Sequence, residues 1–298
     1  MEQVKCDLCG HDDWHPFLYT TDRFTGDKFT LVKCNHCNLI YLNPRPENFE
    51  MQLYYPDDYE AYRLPHEHGS MLENWHAERT LEKQLDYVEL YRSCRGTLLD
   101  IGCATGNFLH LAGRRGWQVL GLQINEKAAM IAMQQFNLKV ITQSLEIVEL
   151  PHESIDVVTL WDVMEHLSSP REILIRIHKL LSPKGMIFLS IPNLNSYDQY
   201  LFGPNWIGWD SPRHFTLFTD KTIKRLLGET GFEIVDQRCL IGGRGAFLLS
   251  IDRVIEKKTY LHWLKGTYPL IGLLFWPYRQ LAYSMQKGPI IYYAVRKV

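Results

Sequence analysis

From Thr97 onward the chain alternates short apolar runs with amphipathic stretches, and no other feature narrows its possible folds so far. "TLLDIG", "WQVLGLQI", "LKVIT", "IDVVTLW" and "MIFLSIP" read as buried strands. The segments around Phe108–Arg115, Glu126–Phe136 and Arg171–Leu181 carry a helical period. Strands and helices in alternation predict an α/β domain whose mostly parallel sheet is covered on both faces. Ligands of such sheets sit beyond the carboxyl ends of the strands.

The first of these strands runs into "LLDIGCATGN". Gly102 and Gly106 bracket a tight turn that lets backbone approach a ligand, and a helix begins at once. A dinucleotide site would want a third glycine near Asn107, and it is missing. Asp100 adds a carboxylate beside the exposed N–H groups of the turn. The carboxylate can hold a cationic amine while the N–H groups meet a carboxylate. Those are the two ends of an amino-acid-shaped cofactor.

Cys6 and Cys9 form one CxxC pair and Cys34 and Cys37 another, with 24 residues between them. Two residues between thiolates let a knuckle turn aim both sulfurs at one tetrahedral ion. The intervening "FLYT" and "KFTLVKC" alternate like a short hairpin, so residues 1–45 read as a zinc ribbon with a closed, structural site. Residues 46–95 form a second unit. The proline-marked linker "NPRPENFE" ends the ribbon and leads into this unit, which holds the tyrosine-dense "YYPDDYEAY" and a helix from about Ser70 to Arg92. The tyrosines serve packing or a lid over a ligand. The α/β unit, 96–298, carries a helical insertion at about 243–288, before the last strand.

Charge adds a constraint on partners. The net charge is −2, but from Ile251 to the end eight Lys or Arg face two Asp or Glu, which leaves −8 on the first 250 residues. That balance does not suit DNA. "MEQVKCDLCG" has no apolar core of a signal peptide, no run approaches the ~20 apolar residues of a membrane span, and paired cysteines suit a reducing compartment. A cytoplasmic location is expected.

"LLDIGCATGNFL" resembles the first motif of class I S-adenosylmethionine-dependent methyltransferases. "VLGLQIN", "LPHESIDVVTLWDVMEHLSSP", "LLSPKGMIFLSIPN" and "LLGETGFEI" are similar to later motifs of that family, in the same order. The ribbon together with "DSPRHFTLF" resembles its ubiquinone-methyltransferase-like (methyltransferase type 12) branch. The resemblance implies a doubly wound, Rossmann-like fold that binds S-adenosylmethionine. It assigns Asp100, Gly102, Cys103, Ala104, Thr105 and Gly106 to the methionine part of the cofactor, and Gln123 and Ile124 to its ribose. Ser144 and Leu145 would flank the adenine, with Trp161 and Asp162 completing the contacts. Gln123 stands where the family has an acid, so its hydrogen bond lacks charge assistance. Ala104 replaces a common glycine, which is acceptable if φ stays negative.

Methyl transfer to a hydroxyl or carbon acid needs a proton removed. Past the fourth strand, Asp162, Glu165 and His166 resemble an array that binds a divalent ion in some relatives; otherwise they cap the turn. In the loop "GWDSPRHFTLF", His214 is a second candidate base. Arg213 either grips an anionic acceptor or pairs with Asp210 to fold the loop. Phe202, Trp206 and Trp209 line the acceptor pocket or seal it. The insertion is rich in aromatic and aliphatic residues and flanked by Lys257, Lys258, Lys265, Arg279 and Lys287. It could lie on an anionic membrane surface, reach a lipid-linked acceptor, pack on its own domain, or form a homodimer. The expected function is methyl transfer to a small-molecule or lipid-linked acceptor, at a sugar or quinone-like hydroxyl or carbon. An RNA-modifying enzyme and a non-catalytic cofactor-binding scaffold are the rival readings.

Overall fold

The computed structural model describes every residue except 48, 57–70, 241–242 and 258–266. The chain opens with a meander of β1 (Trp14–Thr21), β2 (Lys28–Cys34) and β3 (Ile40–Leu42), each antiparallel to the next. Helix α1 (Met71–Tyr91) follows. Of the tyrosine-dense stretch, Tyr54 and Tyr55 are described; Tyr59 and Tyr62 lie outside the described residues.

Five parallel strands come next, with helices between most of them. They are β4 (Thr97–Ile101), β5 (Gln118–Leu122), β6 (Val140–Ile141), β7 (Ile155–Trp161) and β8 (Leu181–Pro192). α2 (Asn107–Arg114), α3 (Glu126–Phe136) and α4 (Pro170–Leu180) make the crossovers after β4, β5 and β7. After β8 come α5 (Tyr197–Phe202), β9 (Thr216–Leu217), α6 (Asp220–Glu229) and β10 (Phe232–Arg238). The insertion supplies α7 (Arg244–Lys257), α8 (Tyr268–Leu274) and α9 (Trp276–Ser284) before β11 (Ile290–Lys297). The main sheet runs β10-β11-β8-β7-β4-β5-β6, with β11 antiparallel to both of its neighbours.

Period-2 alternation sorts the strand residues onto two faces. Leu98, Val157, Phe188 and Tyr292 pack with Leu85 and Val88 of α1 and Phe108 and Leu109 of α2. Leu99, Val158, Ile187 and Val295 pack with Ile173 and Leu174 of α4 and Ile223 and Leu226 of α6. Both faces are covered, which is why the strands read as near-continuous apolar runs.

The small N-terminal unit does not hang free. Cys6, Leu8, Val32, Leu39 and Tyr41 belong to the same buried cluster as α4 and α6. Arg171, in the first turn of α4, donates from Nε to the Asp7 carbonyl (3.1 Å) and from Nη2 to the Leu8 carbonyl (2.6 Å). The Asp7 carboxylate in turn accepts from the Arg171 backbone N–H at 3.0 Å. β9 leaves the main sheet and pairs antiparallel with β3, Ile40 opposite Leu217 and Tyr41 opposite Thr216. A segment 174 residues beyond the end of β3 thus completes the four-stranded N-terminal sheet.

In the insertion, Phe247 of α7 is buried against Phe202, Phe275 and Tyr278. Leu270, Leu273, Leu274 and Trp276 point to solvent. Lys258 and Lys265 of the basic flank lie outside the described residues. Among the described residues no helix is long and apolar enough to cross a membrane.

Candidate active site

The strand order reverses between β4 and β7, so the carboxyl ends of these two strands flank the crevice where ligands of doubly wound sheets bind. The turn after β4 needs its glycines. A Cβ on Gly102 (φ +74) would sit 2.7 Å from Val163, and one on Gly106 (φ +81) 2.6 Å from Leu138 and 2.8 Å from Ala132. Gly102 and Cys103 donate their N–H groups to the Leu122 carbonyl at 2.8 and 3.1 Å. Among the described residues this leaves the N–H groups of Ala104 and Thr105 as the turn's donors toward a ligand.

Ala104 corrects one expectation: its φ is +47, in the left-handed region, not negative. A Cβ there is strained. Ala104→Gly should therefore stabilise the fold by about 0.5–1 kcal/mol despite glycine's greater freedom when unfolded. A urea denaturation midpoint that falls in this variant would contradict the assignment of strain.

Asp100 is the most consequential group of the turn. It is 3% exposed, and the Thr159 hydroxyl donates to its Oδ1 at 2.6 Å from the directly paired position of β7. Burial pushes its carboxyl up to about 7, with the Thr159 bond pulling the other way. No cationic side chain pairs with it among the described residues. Such a carboxylate fits a ligand that brings its own positive charge.

The other residues assigned to the cofactor divide. Gln123 is buried, but its Oε1 accepts from the Asn125 N–H at 3.2 Å, so the amide closes its own turn. Ile124 is exposed and Leu145 buried, while the Ser144 carbonyl accepts from Ile147 and Val148. Thr105 accepts from the Asn107 side chain at 2.8 Å, and burial pushes the Cys103 thiol up. Trp161 packs edge-on against Phe108, and its Nε1 is buried with no partner among the described residues. Asp162 (φ +55) accepts at Oδ1 from the Ser190 hydroxyl, 2.8 Å away, and that hydroxyl accepts from the Asp162 N–H.

A second polar corner lies past the end of β7, on a single 3-10 turn (Met164–His166) held against the loop before β9. The Phe215 N–H donates to the Glu165 carbonyl at 2.7 Å, which brings His214 beside His166, their rings edge-on at 4.7 Å. Nδ1 of His166 lies 3.0 Å from the Arg213 carbonyl and 3.1 Å from the Tyr55 hydroxyl; Nδ1 of His214 lies 2.9 Å from the Gly208 carbonyl. A carbonyl can only accept, so both rings carry their proton on Nδ1 and present a bare Nε2. Burial keeps both neutral, lowering His166 to about 3, with His214 adding to that shift, and lowering His214 as well. Glu165 is 1% exposed, and its Oε2 has no partner among the described residues. Burial, reinforced by Asp162, raises its carboxyl well above the usual range.

Two expectations need correction here. The acidic array of Asp162, Glu165 and His166 does not gather as such, because the Asp162 carboxylate turns to Ser190; Glu165, His166 and His214 gather instead, one ligand atom from each within 4.8 Å. Arg213 does not face an open pocket. It is fully buried, with Nε and Nη2 donating to both Asp210 oxygens (2.7 and 2.8 Å), Nη1 to the Tyr54 carbonyl (2.8 Å), and Nη2 also 2.8 Å from Asp22 Oδ1. Trp206 and Trp209 seal rather than line: they are buried against Phe29, Leu31, Ile40 and Leu42 of the N-terminal sheet.

The four N-terminal thiols converge as well. Cys6 and Cys37 Sγ are 3.3 Å apart, Cys9 and Cys34 3.5 Å, and all four lie within 4.8 Å of one another with no disulfide. The two knuckles repeat one geometry. Gly10 (φ +74) donates to the Cys6 carbonyl and Asn38 (φ +63) to the Cys34 carbonyl, each in a left-handed conformation. Zinc–sulfur bonds of about 2.3 Å in a tetrahedron imply sulfur separations near 3.8 Å, and the cluster brackets that value.

Three contributors escaped the sequence reading. Thr159 is set by sheet register and Asp22 by a hairpin turn, and neither lies in a motif. Tyr55 carried a signal, since it belongs to the tyrosine-dense stretch that was open to a lid role.

A family model described as a methyltransferase domain matches residues 72–237. The ubiquinone biosynthesis O-methyltransferase of Coxiella burnetii is 27% identical over 125 residues, 40% of this chain and 53% of that protein. The enzyme of the same description from Psychrobacter arcticus is 34% identical over 116 residues, 35% of this chain and 44% of that protein. The chain thus spans about half the length of the curated relatives it matches. Among solved structures, Haemonchus contortus phosphoethanolamine N-methyltransferase 2 in complex with S-adenosyl-L-methionine aligns with a TM-score of 0.56 at 17% identity, over 87% of this chain and 61% of that one. Magnesium protoporphyrin IX methyltransferase from Synechocystis PCC 6803 gives 0.55 at 13% identity, over 85% of this chain and all (100%) of that one. At such identities the likeness is one of fold.

Proposed function

The chain belongs to the methyltransferase-domain family, and from that premise we propose that it moves the methyl group of S-adenosylmethionine to a hydroxyl of a small or lipid-carried acceptor. The observation that carries this reading is Asp100: a buried carboxylate at the switch point, held by one hydroxyl, beside a glycine turn with two N–H donors to offer. S-adenosylmethionine, when bound, would supply an electrophilic sulfonium methyl that the acceptor oxygen takes as the C–S electron pair stays on sulfur. Asp100 binds the cofactor's amine, and the N–H groups of Ala104 and Thr105 orient its carboxylate. The acceptor's proton must leave, and the bare Nε2 of His214 takes it, since His166, lowered to about 3, is the weaker base for that task. The four-cysteine cluster holds zinc as a structural ion, since four thiolates leave it no open position.

Calorimetry with S-adenosylmethionine tests this directly. If Asp100 must be ionised to pair with the amine, affinity rises as pH climbs through its value of about 7 in the free chain. A site of that pKa should bind about tenfold tighter at pH 8 than at pH 6. Asp100→Ala abolishes binding, and Asp100→Asn weakens it while removing the pH dependence. Absence of binding by the wild type ends the reading.

A further inference from the structure

We propose that Arg244 and Arg279, with His76 beside them, form an oxyanion subsite that takes a carboxylate or phosphate carried by the methyl acceptor. Its role toward an acceptor rests on the methyl-transfer reading above; its affinity for an oxyanion does not.

Position is the first support. Arg92, just past the end of α1, donates from Nη2 to the Asp156 carboxylate (3.3 Å) near the start of β7. α1 therefore runs from the carboxyl edge of the sheet toward its amino edge, and His76, in the second turn, sits at the crevice side. The insertion reaches the same edge. The N–H of Asn193, the residue after β8, donates to the Pro289 carbonyl at 2.8 Å. A Cβ on Gly243, just before α7, would stand 2.3 Å from Pro289 and 2.9 Å from the Tyr283 hydroxyl.

The second support is a seat for a guanidinium. Gly272 lies inside α8, where glycine weakens a helix relative to alanine. A Cβ there would stand 3.2 Å from Nε and 3.3 Å from Nη2 of Arg244, so the bare backbone makes room for that group.

The third support is charge. Arg244, Arg279 and His76 are each half-buried. Burial lowers His76, and the charges of Arg244 and Arg279 lower it further, so a neutral ring stands beside two cations. Arg244 has no carboxylate partner among the described residues. The acid that acts on this cluster is Asp198, 2% exposed, whose Oδ1 accepts from the Tyr278 hydroxyl at 3.0 Å. Burial raises its carboxyl to about 6, against the pull of Tyr278 and Arg279. Two guanidiniums against one such carboxyl leave the cluster positive, and guanidiniums match the geometry of oxyanions.

Two tyrosines join the cluster to the reaction centre. The Tyr283 phenol accepts from Arg279, and Asp162 and Tyr283 both act on the buried Tyr292 phenol. The Tyr292 ring lies 5.9 Å from that of Trp161, the last residue of β7. An acceptor whose hydroxyl meets the methyl thus has its far end at the arginines. This is the grip that the enclosed Arg213 does not offer.

The probes are benzoate and phenyl phosphate, each titrated into the full chain with and without S-adenosylhomocysteine. Arginine Nε–H signals in nitrogen-15 NMR report the result. At least one probe should bind and shift the signals of both Arg244 and Arg279, and the tighter of the two tells a carboxylate acceptor from a phosphate one. Arg244→Gln should weaken that binding by about tenfold or more. Gly272→Leu keeps both charges but fills the seat, and should weaken binding as much. Wild-type affinity in Gly272→Leu, or binding that leaves these two arginines unshifted, means an adventitious ion only and overturns the proposal, as does no binding of either probe. If both variants fail to fold, the wild-type signals alone decide. Calorimetry with S-adenosylmethionine separates the two failures. Cofactor binding with unshifted arginines sinks only the subsite, whereas shifted arginines without cofactor binding keep the subsite and sink the methyl-transfer reading.

Discussion

Replacing Cys34 and Cys37 by serine should release the zinc proposed for the four-cysteine cluster and, with it, the order of a loop that begins some 170 residues later. The energy involved is large. Structural zinc on thiolates contributes on the order of 10 kcal/mol, comparable to the whole net stability of a typical domain at roughly 5–15 kcal/mol. Cys34 closes β2 and Cys37 sits in the knuckle leading to β3, so losing the ion removes the anchor at both ends of that turn. β3 is also the pairing partner of β9, and the Leu42 N–H donates to the Phe215 carbonyl at 2.9 Å. Metal analysis checks the first half of this expectation. Hydrogen exchange checks the second, as amides of residues 208–217 should lose protection along with those of 28–42. A loop that stays protected after zinc is gone would show that the N-terminal sheet does not hold it.

Arg213→Ala should destabilise the chain by about 3–5 kcal/mol, because it removes the guanidinium between two buried carboxylates and leaves only Arg23, 3.5 Å from Asp210 Oδ1, beside them. Asp22 and Asp210 are 2% and 3% exposed. Although burial opposes it, Arg213 holds the Asp210 carboxyl well below the usual range. The sign follows from that depression. The contribution is present above the unfolded carboxylate's pKa, near 4, and is lost as pH falls toward the depressed folded value. The wild type should therefore shed part of its advantage over the variant in acid, read as converging urea midpoints between pH 6 and pH 3. A variant with wild-type stability and a raised KM for the acceptor would restore the anion-gripping role that the buried geometry denies.

The limits of sequence legibility are instructive. Periodicity located β4, β5, β7 and β8 and the three crossover helices, because two-sided burial leaves a continuous apolar signature. The glycine turn was readable since steric exclusion of a Cβ is a local requirement. The CxxC pairs were readable for the same reason. What escaped depends on register and on distant segments. Thr159 meets Asp100 because β4 and β7 align them, and nothing in "IDVVTLW" marks the threonine. The left-handed Ala104 was hidden by an ordinary side chain in a position that geometry would give to glycine. The sequence leaves Arg213 two fates, and only the hairpin bearing Asp22 decides between them. His214 and Glu165, 49 residues apart in the sequence, meet through a single backbone bond that no motif encodes.

The pairing of β3 with β9 has a consequence for synthesis. The N-terminal meander leaves the ribosome with its last strand unpaired, and its partner residues, Thr216 and Leu217, are still to be translated. At ~5–20 residues per second the interval is about 10–35 s, a long exposure for an apolar edge formed by Ile40, Tyr41 and Leu42. During that window the nascent chain has three hydrophobic residues with open hydrogen-bonding groups and, at their root, four thiols that zinc can already clamp. Zinc supply during translation would then govern yield as much as stability, and a cell starved of the metal should accumulate this chain in aggregates well before its finished copies lose any.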